Sequence, residues 1–371
     1  MKTKRIISVL LCVCMLLCMC SCTQSADSAI QKNETKAENP TCGFEVHFID
    51  VGQGDAALVL CGDKTMLIDG GKPQASDIIY TYLKKMKIDY LDYIVSSHAD
   101  DDHIGGLSAP LATMNVGKVI APEAGADTRS YQSFKSKIEE KNIEVIHPQP
   151  GTEMEFAKSK IEFYGPITET AKSNNNSIVM KIIYGKTSFL FTGDAEREEE
   201  QDILQAGYDV SATVLKVGHH GSRYSTTYPF LRDVMPKYAV ISVGADNYYG
   251  HPTEDTLSRL RDADVEVYRT DMQGDIIAKS DGKRVSITAE KKKNNKTYNA
   301  EQNSNSQQNA DKKTGNEQSN TNAEYIGNKS TKKFHYPSCR FLPNEENREY
   351  LTSRQQAVNS GFTPCGVCIG K

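Results

Sequence analysis

The stretch VSSHADDDHIGGL, Val95 to Leu107, decides how the rest of the chain is read. It places two histidines and three aspartates between His98 and His103, after an apolar run and before Gly105-Gly106. A solvated acidic turn is one reading and a metal site the other, and the rest of the sequence decides between them. His98, Asp100, Asp102 and His103 have the spacing H-x-D-x-D-H at the end of LDYIVSSH, a stretch that reads as a buried strand. A loop folding back over the strand tip brings such residues together. Imidazole and carboxylate donors without a thiolate suit zinc or manganese.

Two more strand ends repeat the pattern. FLFTGDAE closes an apolar run with Gly193-Asp194, and ATVLKVGHHGS closes another with His219-His220 and Gly221. A carboxylate at the end of an apolar strand needs a cation or strong donors to stay there. Strand-like segments (FEVHFIDV, AALVLC, KTMLID, SIVMKIIY, KYAVISVG) alternate with helical ones. In ASDIIYTYLKKMKI, Ile79, Tyr82, Leu83 and Met86 share one side, and EREEEQDILQAG and TEDTLSRLRDA also read as helices. The fold class is α/β: a layered domain over 44–290, large enough for a substantial core, with its metal-binding residues on one sheet edge.

The ends are organised differently. Residues 1–22, MKTKRIISVLLCVCMLLCMCSC, have basic residues before an apolar run too short for a comfortable membrane span, the grammar of a secretory signal. Ser21-Cys22 resembles a bacterial lipobox, which makes Cys22 the lipidation site. The expected location is the extracellular face of the membrane, through an N-terminal lipid anchor, or the medium. An uncleaved N-terminal anchor is the alternative. Residues 23–43 read as a polar tether, and 291–324, with almost nothing to bury, as a disordered linker.

Five of the ten cysteines lie in the first 22 residues, so the remainder are too few for a disulfide scaffold. Cys42 and Cys61 flank a hairpin expected to turn near Gly52-Gln53, and a disulfide between them is predicted. Residues 23–290 hold 28 lysines and arginines against 41 aspartates and glutamates, whereas 325–371 hold 7 against 3. An acidic body repels a phosphate backbone unless bound cations reverse the local field.

The C-terminal segment 325–371 is a separate small module. KFHYPSCRFL and TPCGVC supply His335, Cys339, Cys365 and Cys368, a structural-zinc pattern. A module this small needs a staple, and one zinc ion can contribute about 10–16 kcal/mol of folding free energy. A Cys365–Cys368 disulfide is the competing reading. Lys332, Lys333 and Arg340, interleaved with aromatic residues, suit contact with a nucleic-acid backbone, or else form a solvated basic face. The run from Tyr325 to Cys368 resembles the zinc module of the Ada DNA-repair protein, from whose four-cysteine pattern His335 departs.

FIDVGQGDAALV, MLIDGG, SHADDDHIGG, NNNSIVMKI, FLFTGD, LKVGHHGS, ISVGADNYYGHP and VYRTDMQG occur in this order. Together they resemble the metallo-β-lactamase-type domain of the ComEC family of DNA-uptake channels. That resemblance implies an αββα sandwich with a two-metal site at one edge. It implies His98, Asp100, Asp102 and His103 as ligands, with the second metal centred on Asp102 and His103. Asp194 would bridge, and either His219 or His220 would complete the site. Asp69 is expected to order the ligand loop, and Asn175, Asn176 and Ser177 to position substrate oxygens. His251 is either a proton donor or phosphate contact, or a loop histidine capping backbone. Asp50, Gln53 and Asp55 are expected to pin a turn. The wider superfamily has a histidine where Asp100 stands, which makes manganese as credible as zinc.

Two such ions clamp an attacking and a leaving oxygen and bring the pKa of bound water to about 7. Hydrolysis of a phosphodiester follows, with Asp102, Asn175 and His251 as catalytic candidates and DNA as the leading substrate. No nucleotide cofactor is expected, and the chain reads as a monomer. A cell-envelope phosphodiester, such as a teichoic-acid or phosphorylcholine ester, is the second reading, and a non-catalytic DNA-binding lipoprotein the third.

Overall fold

The computed structural model describes residues 43–291, 325–337, 339 and 341–365. The signal, the tether up to residue 42, the linker beyond residue 291, and Cys22, Cys42, Arg340 and Cys368 lie outside the described residues. No helix among the described residues is long and apolar enough to cross a membrane.

The strands are β1 (Phe44–Phe48), β2 (Ala57–Cys61), β3 (Lys64–Ile68), β4 (Tyr90–Val95), β5 (Asn115–Ile120), β6 (Glu144–Ile146), β7 (Glu153–Phe156), β8 (Ser159–Gly165), β9 (Val179–Tyr184), β10 (Thr187–Phe191), β11 (Val214–Lys216), β12 (Tyr238–Ile241), β13 (Glu266–Arg269), β14 (Ile276–Ser280) and β15 (Val285–Ala289). They build an eight-stranded sheet, β15-β14-β1-β2-β3-β4-β5-β6, and a seven-stranded one, β13-β12-β11-β10-β9-β8-β7. The period-two pattern decides what each strand shows to either side. In β1, Phe44, Val46 and Phe48 face the second sheet, where they join Met180, Ile182, Phe189 and Phe191 in one buried core. Leu58 of β2 and Leu67 of β3 point the other way, into a layer with Ile79, Leu83, Phe134 and Ile138 from helices α1 (Ser76–Lys85) and α2 (Arg129–Glu140).

Leu190 and Leu215 do the same on the second sheet. They meet Ile203 of α3 (Arg197–Gln205), Phe230 and Leu231 of α4 (Tyr228–Val234), and Leu257 and Leu260 of α5 (Glu254–Asp262). Three apolar layers, between two sheets and the helices outside them, make an αββα sandwich. β1 and β2 form the expected hairpin, with Phe44 opposite Cys61. Cys61 is buried and has no disulfide partner among the described residues; Cys42, its expected partner, lies outside them.

β3, β4, β5 and β6 run parallel, as do β10, β11, β12 and β13. The carboxyl ends of parallel strands therefore lie together at one edge, where open α/β sheets carry their ligands. Asp69, His98, Asp194 and His219-His220 all follow such ends.

The C-terminal module has its own sheet, with β16 (Tyr325–Asn328), β17 (Lys333–His335), β18 (Arg348–Leu351) and β19 (Thr363–Pro364) in the order β18-β16-β17-β19. Among its described residues, Tyr325, Phe334, Leu351, Ala357 and Phe362 form one small buried core. The module does not hang free. Asp262, fully buried at the end of α5, accepts hydrogen bonds from Tyr228 Oη (2.6 Å), Asn328 Nδ2 (3.0 Å) and Thr331 Oγ1 (2.9 Å). Asn344 donates to Asp264 at 3.2 Å, and Phe341 packs near Tyr228. Lys333 holds its ammonium 5.8 Å from the Tyr228 ring, so one of the lysines expected to meet nucleic acid is turned toward the larger domain. Lys332 is exposed, its Nζ 4.9 Å from the Phe362 ring.

Candidate metal centre

The ligand loop is held by close backbone approach. Gly70 N donates to His103 O at 2.7 Å, and Asp55 N to Asp102 O at 3.1 Å. A Cβ on Gly106 would lie 1.9 Å from Gly70 O, and one on Gly54 would lie 2.4 Å from Asp102 O. These glycines therefore recur beside the acidic motifs because backbone meets backbone there.

His98 and His103 are fully buried, with ring centroids 4.1 Å apart. Ser97 Oγ sits 3.1 Å from His98 Nδ1 and 3.2 Å from His103 Nδ1. Asp69 completes the support, accepting from Ser97 N at 2.7 Å and lying 3.0 Å from His103 Nδ1. With the Nδ1 atoms so engaged, both Nε2 atoms face inward. His98, His103 and Asp194 offer ligand atoms within 4.8 Å of one another, and so do Asp102, His103 and His220. Asp194 spans the two groups, with Oδ1 3.2 Å from His103 Nε2 and Oδ2 3.5 Å from His220 Nε2. Asp102 Oδ2 lies 3.6 Å from His220 Nε2.

Of the histidine pair that the sequence left open, His220 is the one that lies in the candidate ligand clusters. Both residues take left-handed backbone conformations, φ 49° and 52°, which non-glycine residues hold only when their surroundings compel it. His220 is buried and points into the centre, whereas His219 is partly exposed, with Nε2 3.7 Å from Asp194 and Nδ1 3.6 Å from Glu196. Asp100 also stands at the margin. Its side chain is 40% exposed, 3.7 Å from His98 Nε2, and accepts from Ser173 Oγ at 2.5 Å. It joins neither triad.

Asn175 does not fit the part expected of it. Its Oδ1 accepts from Glu196 N at 2.9 Å and its Nδ2 donates to Glu198 at 3.4 Å, so both ends of the amide are engaged. It pins the loop that carries Asp194 rather than facing a substrate. Asn176 likewise bonds the backbone of Thr170 at both ends. Ser177 Oγ accepts from Asp194 N at 3.0 Å. His251 stands beside the centre, its ring 5.4 Å from that of His219 and 6.5 Å from that of His220, and its buried Nδ1 has no partner.

Asp55 was expected only to pin a turn, and that part falls to Asp50, which accepts from Gly52 N. Asp55 instead lies beneath the centre, 3.0 Å from His220 Nδ1 and 2.7 Å from Lys216 Nζ. Lys216 was not singled out from the sequence. The signal was there: a lysine within the apolar run ATVLKV must find a counter-charge if the strand is buried.

The donor set fits divalent cations. Among the described residues, His98 Nε2, His103 Nε2, His220 Nε2 and Asp194 Oδ1 are buried without a hydrogen-bond partner, and all belong to the clusters whose ligand atoms lie within 4.8 Å of one another. Four such orphans in a cluster would be costly unless an ion joins them. The electrostatics agree. Burial opposes a charge on His220, but Asp194 and Asp55 outweigh it and push its pKa up to about 10. His103 is raised by Asp194 and Asp69 against the same burial. Burial also resists ionisation of Asp194, yet His103 and His220 hold its carboxyl well below the ordinary range. The field is built to accept positive charge. In the module, His335, Cys339 and Cys365 form a second cluster within 4.8 Å, with both ring nitrogens of His335 buried and unpartnered among the described residues.

Residues 314–369 match the metal binding domain of Ada. The chain is 31% identical over 251 residues to ComE operon protein 3 of Bacillus subtilis (strain 168), covering 62% of this chain and 32% of that one. It is also 31% identical over 230 residues to Competence protein ComA of Neisseria gonorrhoeae, covering 61% and 30%. The chain thus spans about a third of the length of these curated relatives. Among solved structures, the metallo-beta-lactamase fold protein YhfI from Bacillus subtilis aligns at 13% identity with a TM-score of 0.44, over 66% of this chain and 100% of that one. Residues 49–245 match the metallo-beta-lactamase superfamily, and the chain belongs to that superfamily.

Proposed function

We propose that this chain is an exported, lipid-anchored hydrolase that uses two divalent ions, zinc or manganese, to cleave phosphodiesters, with DNA as substrate. The observation that carries this reading is the shared carboxylate: Asp194 reaches His103 with one oxygen and His220 with the other. A carboxylate so placed links two adjacent cation sites.

The clusters of His98, His103 and Asp194 and of Asp102, His103 and His220 would hold the two ions, with Asp194 reaching His220 of the second. The ions, when bound, supply an activated water and neutralise charge that builds on the phosphoryl oxygens. The chain supplies the rest. Ser97 and Asp69 fix the ring orientations of His98 and His103, as second partners of metal-binding histidines do, and Ser242 O does so for His220, with the Asp55 carboxylate 3.0 Å from the same Nδ1. His251, its ring 5.4 Å from that of His219 and 6.5 Å from that of His220, is our candidate to meet a leaving oxygen. The acidic body favours DNA only where the ions reverse its field, and the basic module, seated on the hydrolase domain, adds positive charge next to it.

The test is cleavage of single- and double-stranded DNA in manganese or zinc, beside an Asp102→Ala/His103→Ala control. Cleavage that the control lacks supports the nuclease. Turnover of bis(p-nitrophenyl) phosphate without DNA cleavage moves the substrate to envelope phosphodiesters, the reading that the acidic surface favours. Neither activity sinks the hydrolase.

A further inference from the structure

Tyr248 and Tyr249 stand out on the surface, 82% and 46% exposed. Their rings lie 4.0 Å apart at 32°, and their hydroxyls are hydrogen-bonded at 2.6 Å. Lys72 reaches over both, with Nζ 5.8 Å from one centroid and 5.6 Å from the other. The pair adjoins the metal centre: the Tyr249 ring lies 5.7 Å from that of His251 at 21°, and His251 in turn neighbours His219 and His220. A continuous series of rings thus leads from solvent to the ligands.

The arrangement is held in place. Asn247 Nδ2 donates to Gly244 O and His251 O, and its Oδ1 accepts from His251 N, which closes the loop that carries both tyrosines. Lys72 directly follows Gly70-Gly71, whose backbone is bonded to His103 and Gly106 in the ligand loop. Two large rings kept in water beside a catalytic opening, instead of in a core, indicate a ligand with a flat face. The lysine selects among such ligands. Exposed aromatic faces also attract quaternary ammonium groups, but an ammonium already over both rings disfavours a second cation and favours a neutral ring joined to an anion.

We propose that Tyr248, Tyr249 and Lys72 form a subsite for one nucleobase and its adjoining phosphate, beside the phosphodiester held at the metal centre. This rests on the reading of that centre as acting on nucleic acid. A base within a duplex has both faces covered by its neighbours, so the subsite takes single strands or frayed ends. Stacking of this kind is tolerant of sequence.

The test is equilibrium binding of the full chain, in manganese, to a fluorescent phosphorothioate single strand that resists cleavage. The comparison is the same backbone with tetrahydrofuran in place of every base. The base-bearing strand should bind about tenfold more tightly. Tyr248→Ala/Tyr249→Ala should abolish that difference, Tyr248→Phe/Tyr249→Phe should keep it, and Lys72→Ala should weaken both strands alike. Equal binding of the two strands to the wild-type chain overturns the proposal, as does an alanine pair that weakens both equally. A base preference without DNA cleavage would support the subsite and remove the nuclease. Cleavage without a base preference would do the reverse.

Discussion

Lys216 and Asp55 form an ion pair in the floor of the metal centre, Nζ 2.7 Å from Oδ2, with both side chains less than a tenth exposed. The lysine also donates to Val217 O at 2.8 Å, while the other oxygen of Asp55 faces His220 Nδ1. A charge that enters an apolar strand is thereby neutralised next to His220, whose Nδ1 also meets Ser242 O.

Lys216→Met should leave Asp55 as an uncompensated buried charge close to Asp194, at a cost of about 3–5 kcal/mol. Asp55→Asn keeps the shape but weakens the hold on His220 and should lower metal affinity about 10- to 100-fold. Denaturant unfolding measures the first, and competition with a calibrated chelator the second. Unchanged affinity in Asp55→Asn would mean that Ser242 O, 3.0 Å from His220 Nδ1, orients the ring by itself.

Removing metal should lower the melting temperature of the hydrolase domain, because the orphaned Nε2 atoms and Asp194 lose the ion that joins them. At a thousandfold excess over Kd a bound ion stabilises by about 4 kcal/mol. Calorimetry before and after chelation, then after re-addition of zinc or manganese, reads the effect. A melting curve indifferent to chelation would mean that the cluster holds no ion.

The module's seat should depend on Asp262. Its carboxylate binds Tyr228 on one domain and Asn328 and Thr331 on the other. Hydrogen bonds to a charged group contribute about 1.5–3 kcal/mol. Asp262→Ala should therefore release the module to limited proteolysis while the hydrolase domain stays folded. A double-mutant cycle with Asn328→Ala should show coupling, and strict additivity would place the seat elsewhere.

Glu199 carries a pH dependence with a definite sign. Its carboxylate is buried and accepts from Ile167 N at 2.7 Å. Burial raises its pKa from 4.5 to about 7. The unfolded chain thus gives up this proton first, so stability is complete below pH 4.5 and declines as pH rises toward 7, by up to about 3 kcal/mol. Glu199→Gln should stabilise the protein at pH 8 and leave it unchanged at pH 4. Equal effects at both values would show that the Glu199 pKa is the same in the folded and unfolded chains.

The chemistry was legible in the sequence because residue type and position along a strand settle it locally. Glycines beside HADDDH, TGD and GHHGS mark strand ends, period-two runs mark the two faces of each sheet, and parallel order brings the ends to one edge. Imidazoles and carboxylates at that edge already imply cations. What the tertiary structure decided is direction. His219 and His220 are identical in type and adjacent, and only the left-handed turn packed under Asp194 sends one inward. Asn175 has the right chemistry for a substrate contact, but contacts with Glu196 and Glu198 consume both ends of its amide. Asp55 meets Lys216, and Asp262 meets Asn328, across stretches of chain that no local pattern connects. Local sequence sets which donors exist, whereas the partners that spend or free them come from distant segments, and their distances arise only when the sheets and helices pack.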